Sequence, residues 1–391
     1  MTPIVNTHVH FPPNFSAFTT VADAIGQARA EQVAVLGASN FYDQQVYASI
    51  AELTQAAGIT ASYGLEFITH VPDLADQGVR VNDPANPGRM YLTGKGIDPA
   101  RLGSPAARAV TDEIRRGNDQ RSAQMVRLVA DRFEQAGFAT GLDAAAIAAA
   151  VAGRAEVPLA WVSLQERHIA WAFQQKLAEL PVGERSVVLE RAYGRPSTVG
   201  PDDAVALQAE IRSRLLKAGT PGFVPEVPLS FEQAYAQILA VGGIPCYPVL
   251  ADGADPVCEF EQSPAELAEQ LVRRGIHAAE LIPGRNHGAV VDQYVRVLRE
   301  AGLIVMAGTE HNTSDRIPLD PACADGPLSP DTRQCCYEAT CVVVAHAERL
   351  RRGQAGYVDA GGAVSADLAT LIAEGGQVIG GPPNRRPDLQ E

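Results

Sequence analysis

The run Pro3-Ile4-Val5-Asn6-Thr7-His8-Val9-His10, cut off at Phe11-Pro12-Pro13, decides how this chain is read. In an extended strand, side chains two apart share a face, so His8 and His10 project together. An apolar strand that delivers two imidazoles just before a Pro-Pro stop looks like half of a metal site at the mouth of a barrel. Imidazole suits zinc, iron and manganese, and two imidazoles need one or two carboxylates to complete a shell. The competing reading is a pair of surface histidines near a terminus. The rest of the sequence has to supply the partners.

Outward from that strand the chain alternates. A helix near 20–31 leads to an apolar strand at 33–37, and a helix near 43–57 leads to a strand at 59–67. The pattern resumes with helices at 231–241, 263–274 and 290–301, each followed by a strand, at 244–250, 276–282 and 303–307. Strands alternating with helices imply βαβ units, and such a series closes most simply as a (βα) barrel with its site at the C-terminal strand ends. Residues 71–100, rich in Pro, Gly and Asp, are expected as a long ordered loop, and 104–223 as helices packed over one side of the barrel. Beyond 312, loops lead to helices near 336–352 and 364–374, and the tail from 380 is expected to fray. The predicted organisation is a discontinuous barrel (1–70 and 225–315), a loop plus helical insertion (71–224) and a C-terminal extension (316–391).

Composition narrows the partners. With 46 acidic against 32 basic residues the net charge is −14, which argues against nucleic acid and anionic membrane surfaces. The Ala-rich run at 144–152 is too short to span a bilayer, and no basic, apolar leader precedes the histidines. A soluble, cytoplasmic protein acting on a small, anionic molecule is expected. Six cysteines without a Cys-x-x-Cys pair read as reduced thiols, with a redox or structural metal role for 323–341 as the alternative.

Carboxylates occur where the barrel needs them. Glu66 ends the third strand in Gly64-Leu65-Glu66-Phe67, and Glu310-His311 follow the last one in Met306-Ala307-Gly308-Thr309-Glu310-His311-Asn312-Thr313. If the barrel closes, His8, His10, Glu66 and Glu310 converge and offer two nitrogens and two carboxylates to a divalent ion, with room for water. Glu66 as a buried salt-bridge partner, and Glu310-His311 in a solvated loop, are the plain alternatives.

Together with Gly242-Gly243-Ile244-Pro245-Cys246-Tyr247-Pro248, these motifs resemble those of the PHP (polymerase and histidinol phosphatase) superfamily, in order and spacing across 1–70 and 225–315. The resemblance implies an α/β fold, a distorted (βα)7 TIM-like barrel holding up to three metals and hydrolysing phosphate esters, with Glu66 as the bridging carboxylate. The departures are informative. Ala38-Ser39-Asn40 stands where members carry Thr-Asp-His, Gly308-Thr309-Glu310-His311-Asn312 replaces Gly-Ser-Asp-x-His, and only Asn14 follows His10 where an Asp or His is expected. Those losses fall on one metal site of the family, and Cys246-Tyr247-Pro248 in place of Ala-His-Pro removes a ligand of another. One ion (Zn, Mn or Fe) is therefore expected, and a second if His70, His168 or His311 substitutes.

Several groups are candidates for the substrate side. Glu166-Arg167-His168-Ile169-Ala170 resembles an Arg-x-His-like segment of a phosphoesterase branch, with His168 as proton donor, phosphate ligand or plain helix-start histidine. Arg89 and Lys95 lie among glycines in the expected loop after Glu66, without Walker spacing. Arg285 follows the strand at 276–282, and Asn312 stands in place of the family's final His. The expected activity is that of a metal-dependent hydrolase, on phosphomonoesters first. An amidohydrolase-like C–N or C–O hydrolase and a non-catalytic metal- or metabolite-binding barrel remain the alternatives.

Overall fold

Strands, several of them short runs of Val, Ile, Leu and Ala too brief for helices, form one sheet. These are β1 (Ile4–Val9), β2 (Val33–Ala38), β3 (Thr60–His70), β4 (Arg89–Lys95), β5 (Leu229–Ser230), β6 (Ile244–Val249), β7 (Ala278–Leu281) and β8 (Ile304–Ala307). The computed structural model describes residues 2–41 and 44–380. Seven strands follow one another in the order β1-β2-β3-β4-β6-β7-β8, and β5 pairs with β3.

The ends of that row meet. Val9 and Glu310 form a parallel bridge, His10 N–H donates to Glu310 O at 2.9 Å, and Glu310 N–H donates to His8 O at 2.8 Å. Glycine is required at 308 for this approach, because a Cβ there would lie 2.4 Å from the Cβ of His8. The result is the distorted, nearly closed TIM-like α/β barrel that the alternation of elements implied.

Helices cover the outside with one apolar stripe each. Pro264–Arg273 starts at a Ser263 cap and buries Leu267, Ala268 and Leu271. Gly288–Glu300 buries Val291, Tyr294, Val295 and Leu298, the i, i+3, i+4, i+7 spacing of a helix laid on a sheet.

Residues 71–100 depart from the expected loop. They contain β4, antiparallel to both β3 and β6, so the sheet is mixed. β3 runs on to His70, and the chain reverses through the short helix Pro72–Asp76 and returns beside it; strands joined at the same end pair antiparallel without a crossover. Glycines at 88, 94 and 96 hide this strand from a composition-based reading.

Between Pro105 and Ile211 the chain is largely helical. Pro105–Gln135, Ala144–Ala155, Glu166–Ala178, Val182–Tyr193 and Ala204–Ile211 share a second apolar core built on Val129, Phe133, Ile147, Phe173 and Leu189. In the C-terminal region, Pro330–Arg351 packs against β8 and against Leu368–Gly380, where a Cβ on Gly375 would sit 1.9 Å from Cys341 O. The expectation of fraying for the tail after 380 falls outside the described residues. No helix among the described residues is long and apolar enough to cross a membrane.

His346 ties this C-terminal region to the barrel. Buried, it donates from Nε2 to Gly242 O at 2.9 Å and accepts Tyr357 N–H on Nδ1 at 2.9 Å. Burial pulls its pKa from 6.5 down to about 4, so folding favours the neutral ring. The unfolded chain takes up this proton first as pH falls. The stabilisation is therefore complete above pH 6.5 and is lost progressively towards pH 4, an effect of about 3 kcal/mol at most. Urea melts at pH 7 and 4.5 are expected to show this loss among those of the other buried histidines, and His346→Gln, which can still donate and accept, is expected to reduce it by about 2–3 kcal/mol. An unchanged slope in that variant would refute the assignment.

Candidate metal centre

β1 presents His8 from within the strand, and His10 follows just past its end on the same face. Glu66 arrives from the middle of β3, in register with Thr93 of β4. All three are buried. His8 Nε2 lies 3.3 Å from His10 Nε2; Glu66 Oε2 lies 3.4 Å from His10 Nε2 and 3.8 Å from His8 Nε2. Glu66 Oε2 has no hydrogen-bond donor among the described residues. Among the same residues this is the only trio of His, Cys, Asp or Glu placed to hold an ion.

The triangle fits a metal. Donors bound at about 2.0–2.1 Å in a tetrahedral shell lie about 3.4 Å apart, and the observed sides come close to that. His10 is braced by Phe41, whose ring stacks on it at a centroid distance of 5.3 Å.

Behind the triangle is a group that the sequence reading passed over. Glu280 of β7 is fully buried. Its Oε1 accepts His8 Nδ1–H at 3.0 Å and Thr93 Oγ1–H at 2.9 Å, and its Oε2 lies 2.7 Å from Lys95 Nζ. Lys95 also donates to Thr7 O at 3.0 Å and Ser39 Oγ at 2.9 Å. The signal was present: Glu280 is a lone carboxylate in the apolar strand Ala278-Ala279-Glu280-Leu281, the same criterion that singled out Glu66.

The electrostatics divide the two carboxylates. Burial, reinforced by Glu280, raises the Glu66 pKa to about 8 against the pull of Lys95 and Arg285. Burial pushes Glu280 up as well, but Lys95 and His8 outweigh it and bring it to about 2. Burial lowers His8, with Glu280 opposing, and lowers His10 further, with His8 adding to the effect. Two neutral imidazoles facing a carboxyl group that resists ionisation form a site that a divalent cation would relieve.

The other candidate residues are scattered around this centre. The Glu310 carboxylate pairs with the Arg285 guanidinium, so this side chain lies outside the triangle, and the backbone of Glu310 closes the barrel. Arg285 is close enough to act electrostatically on His8 and Glu66, and Arg167 on His10. Arg167 Nη2 donates to Asn312 Oδ1 at 3.3 Å, bringing those two together at the rim. Arg89 is paired with Glu226 at 3.2 Å on the last rung of β3–β4, opposite His70. Lys95 belongs to the barrel interior and not to the expected loop.

His311 is engaged structurally. Its Nε2 donates to Ile317 O at 3.0 Å, Nδ1 accepts Thr309 Oγ1–H at 2.7 Å, and the ring stacks on Phe18. His168 caps its own helix, accepting Gln165 N–H on Nδ1 at 3.1 Å, and burial pulls its pKa to about 3. The six cysteines, all among the described residues, are free thiols.

No protein-family model matches the chain, and no curated protein matches it. Solved structures of similar fold include the following two. One is an amidohydrolase from Chromobacterium violaceum with bound sulfate and no metal, at 18% identity and a TM-score of 0.52, covering 85% of this chain and 96% of that one. The other, from Bifidobacterium adolescentis, is described as a metal-dependent phosphoesterase, at 12% identity and a TM-score of 0.57, covering 87% and 97%. At these identities the likeness establishes the barrel fold.

A cap and a ligand differ under mutation. His168→Ala is expected to cost about 1–2 kcal/mol of stability in a denaturant melt. Metal affinity in a direct titration should stay within about twofold of the parent, since His168 is not one of the three residues of the triangle. A large loss of affinity would mean that His168 serves the metal.

Proposed function

We propose that this protein is a metal-dependent hydrolase of a small phosphomonoester. The observation that carries the reading is the buried triangle of His8 Nε2, His10 Nε2 and Glu66 Oε2, with Arg285 and Arg167 within electrostatic reach of it. Two imidazoles with one carboxylate are the donor chemistry of catalytic zinc and of non-haem iron, and the set leaves coordination positions open. When bound, the ion supplies Lewis acidity that activates water and polarises the scissile group.

The chain's own residues supply the rest. Lys95 and Glu280 cancel as an internal pair, so with a divalent ion and an ionised Glu66 the centre carries one net positive charge, which suits an anionic substrate. On this reading Arg285 and Arg167 take phosphate oxygens. Guanidinium forks match that geometry, and an arriving phosphate would replace Glu310 as the partner of Arg285. The two arginines favour phosphate over a neutral amide or ester. The motif resemblance to the PHP superfamily and the fold likeness to a protein described as a phosphoesterase support the same choice.

Purified protein reconstituted with Mn²⁺ or Zn²⁺ is expected to release phosphate from small phosphomonoesters. A chelator should abolish the release. Glu66→Gln and His10→Ala should each weaken metal binding by more than about 100-fold. Arg285→Ala should lower kcat/KM by about 10- to 100-fold while leaving metal stoichiometry intact. Turnover of amides or carboxylic esters with no turnover of phosphoesters would transfer the assignment to amidohydrolase-like chemistry.

A further inference from the structure

His8 has two ring nitrogens on opposite sides, and only one can face the ligand triangle. Its Nδ1 is bonded to Glu280 at 3.0 Å, and its Nε2 points to His10 Nε2 at 3.3 Å. A carboxylate can only accept at this contact, so a neutral His8 carries its proton on Nδ1 and a lone pair on Nε2.

Glu280 is itself fixed from two further directions. Thr93 Oγ1–H reaches Oε1 at 2.9 Å, and Lys95 Nζ lies 2.7 Å from Oε2. Thr93 and Lys95 are two apart on β4, so one strand face supplies both. The ammonium is further held by Thr7 O and Ser39 Oγ, in β1 and just after β2. Three strands, β1, β4 and β7, and the residue just after β2 are thereby tied to the orientation of one imidazole.

Such a network is a poor way to gain stability. A buried ion pair is often no better than apolar residues of the same volume, because both charges lose their water. Here the acid and the ammonium are almost completely enclosed, yet one oxygen of the acid is spent on a histidine instead of on the ammonium.

We propose that Glu280, held by Lys95 and Thr93, is the positioning residue that fixes the tautomer and ring orientation of His8 and so presents Nε2 to the metal. The proposal rests on the metal-centre reading above. Glu280 lies behind His8 and outside the ligand triangle, so it acts through His8, and Lys95 holds it in place.

The test compares two double variants that each remove both buried charges. Lys95→Met/Glu280→Leu deletes the acceptor, whereas Lys95→Met/Glu280→Gln keeps an oxygen at the same distance. In metal-free wild-type protein, ¹⁵N NMR of histidine-labelled chain is expected to show His8 in the single Nδ1–H form. The Leu variant should show mixed tautomers and a fall in Zn²⁺ or Mn²⁺ affinity of about 10- to 100-fold, and the Gln variant should recover the tautomer and most of the affinity. A merely structural role would shift melting temperature without moving the tautomer.

A wild-type His8 protonated on Nε2, or a Leu variant with unchanged tautomer and affinity, overturns the proposal. If the Leu variant fails to fold, the wild-type spectrum and the Gln variant still decide it. Wild-type protein that binds no divalent ion in titration overturns the metal-centre reading itself, and does so independently of the NMR result.

Discussion

The barrel mouth depends on one backbone contact, the seating of residue 310 between His8 and His10. Its N–H goes to His8 O and its carbonyl takes His10 N–H, so the last strand closes on the first at the two histidines. The closure holds Glu310 and His311 at φ of +63° and +52°, a left-handed region that costs a non-glycine residue about 1 kcal/mol or more. Bonds around them offset that cost: Ala17 N–H reaches His311 O at 2.9 Å, and both ring nitrogens of His311 are engaged. Strain in such a place signals a geometry enforced by its surroundings. What it enforces is the placement of two imidazoles on one buried carboxylate.

That constraint also explains why Glu310 plays a different part from the one its sequence context suggested. A carboxylate following a barrel strand reads as a ligand, but residue 310 contributes its peptide group to the closure, and its side chain turns to Arg285. Backbone roles carry no residue-type signature, so they are invisible in a sequence. The shared face of His8 and His10 was legible from strand periodicity, and Glu66 from being a carboxylate in an apolar strand.

Legibility failed in one region for one reason. Reading residues 71–100 as a loop removed β4, and with β4 went Thr93, the interior position of Lys95 and the reason for a buried acid at Glu280. By composition, the glycines of Thr93-Gly94-Lys95-Gly96 suggest an anion-binding turn. In the folded chain Gly94 makes room for Ile238 and Gly96 for Val343, both from helices packed on the strand, and the lysine between them points inward. The barrel itself was legible from the alternation of elements, because six of its seven strands announce themselves by apolar runs. The network behind His8 was not, because it depends on the strand that does not.

The helical region is coupled to the centre by specific contacts. Gln165 Oε1 accepts Phe15 N–H at 2.7 Å, bracing the loop that follows His10. The next residue, Glu166, binds Arg121, Arg212 and Lys217, and its pKa is held at about 2 once these cations outweigh its burial. That cluster pins the start of the helix Glu166–Ala178 and leaves Arg167 directed at Asn312 on the rim. Burial and the neighbouring Arg212 and Arg285 pull the Arg167 pKa down to about 9, the sign of a cation short of counter-charge. On the proposed reading, a phosphate supplies that charge. The helix Glu166–Ala178 then supplies a guanidinium short of counter-charge, and substrate binding and the placement of that helix become one electrostatic problem.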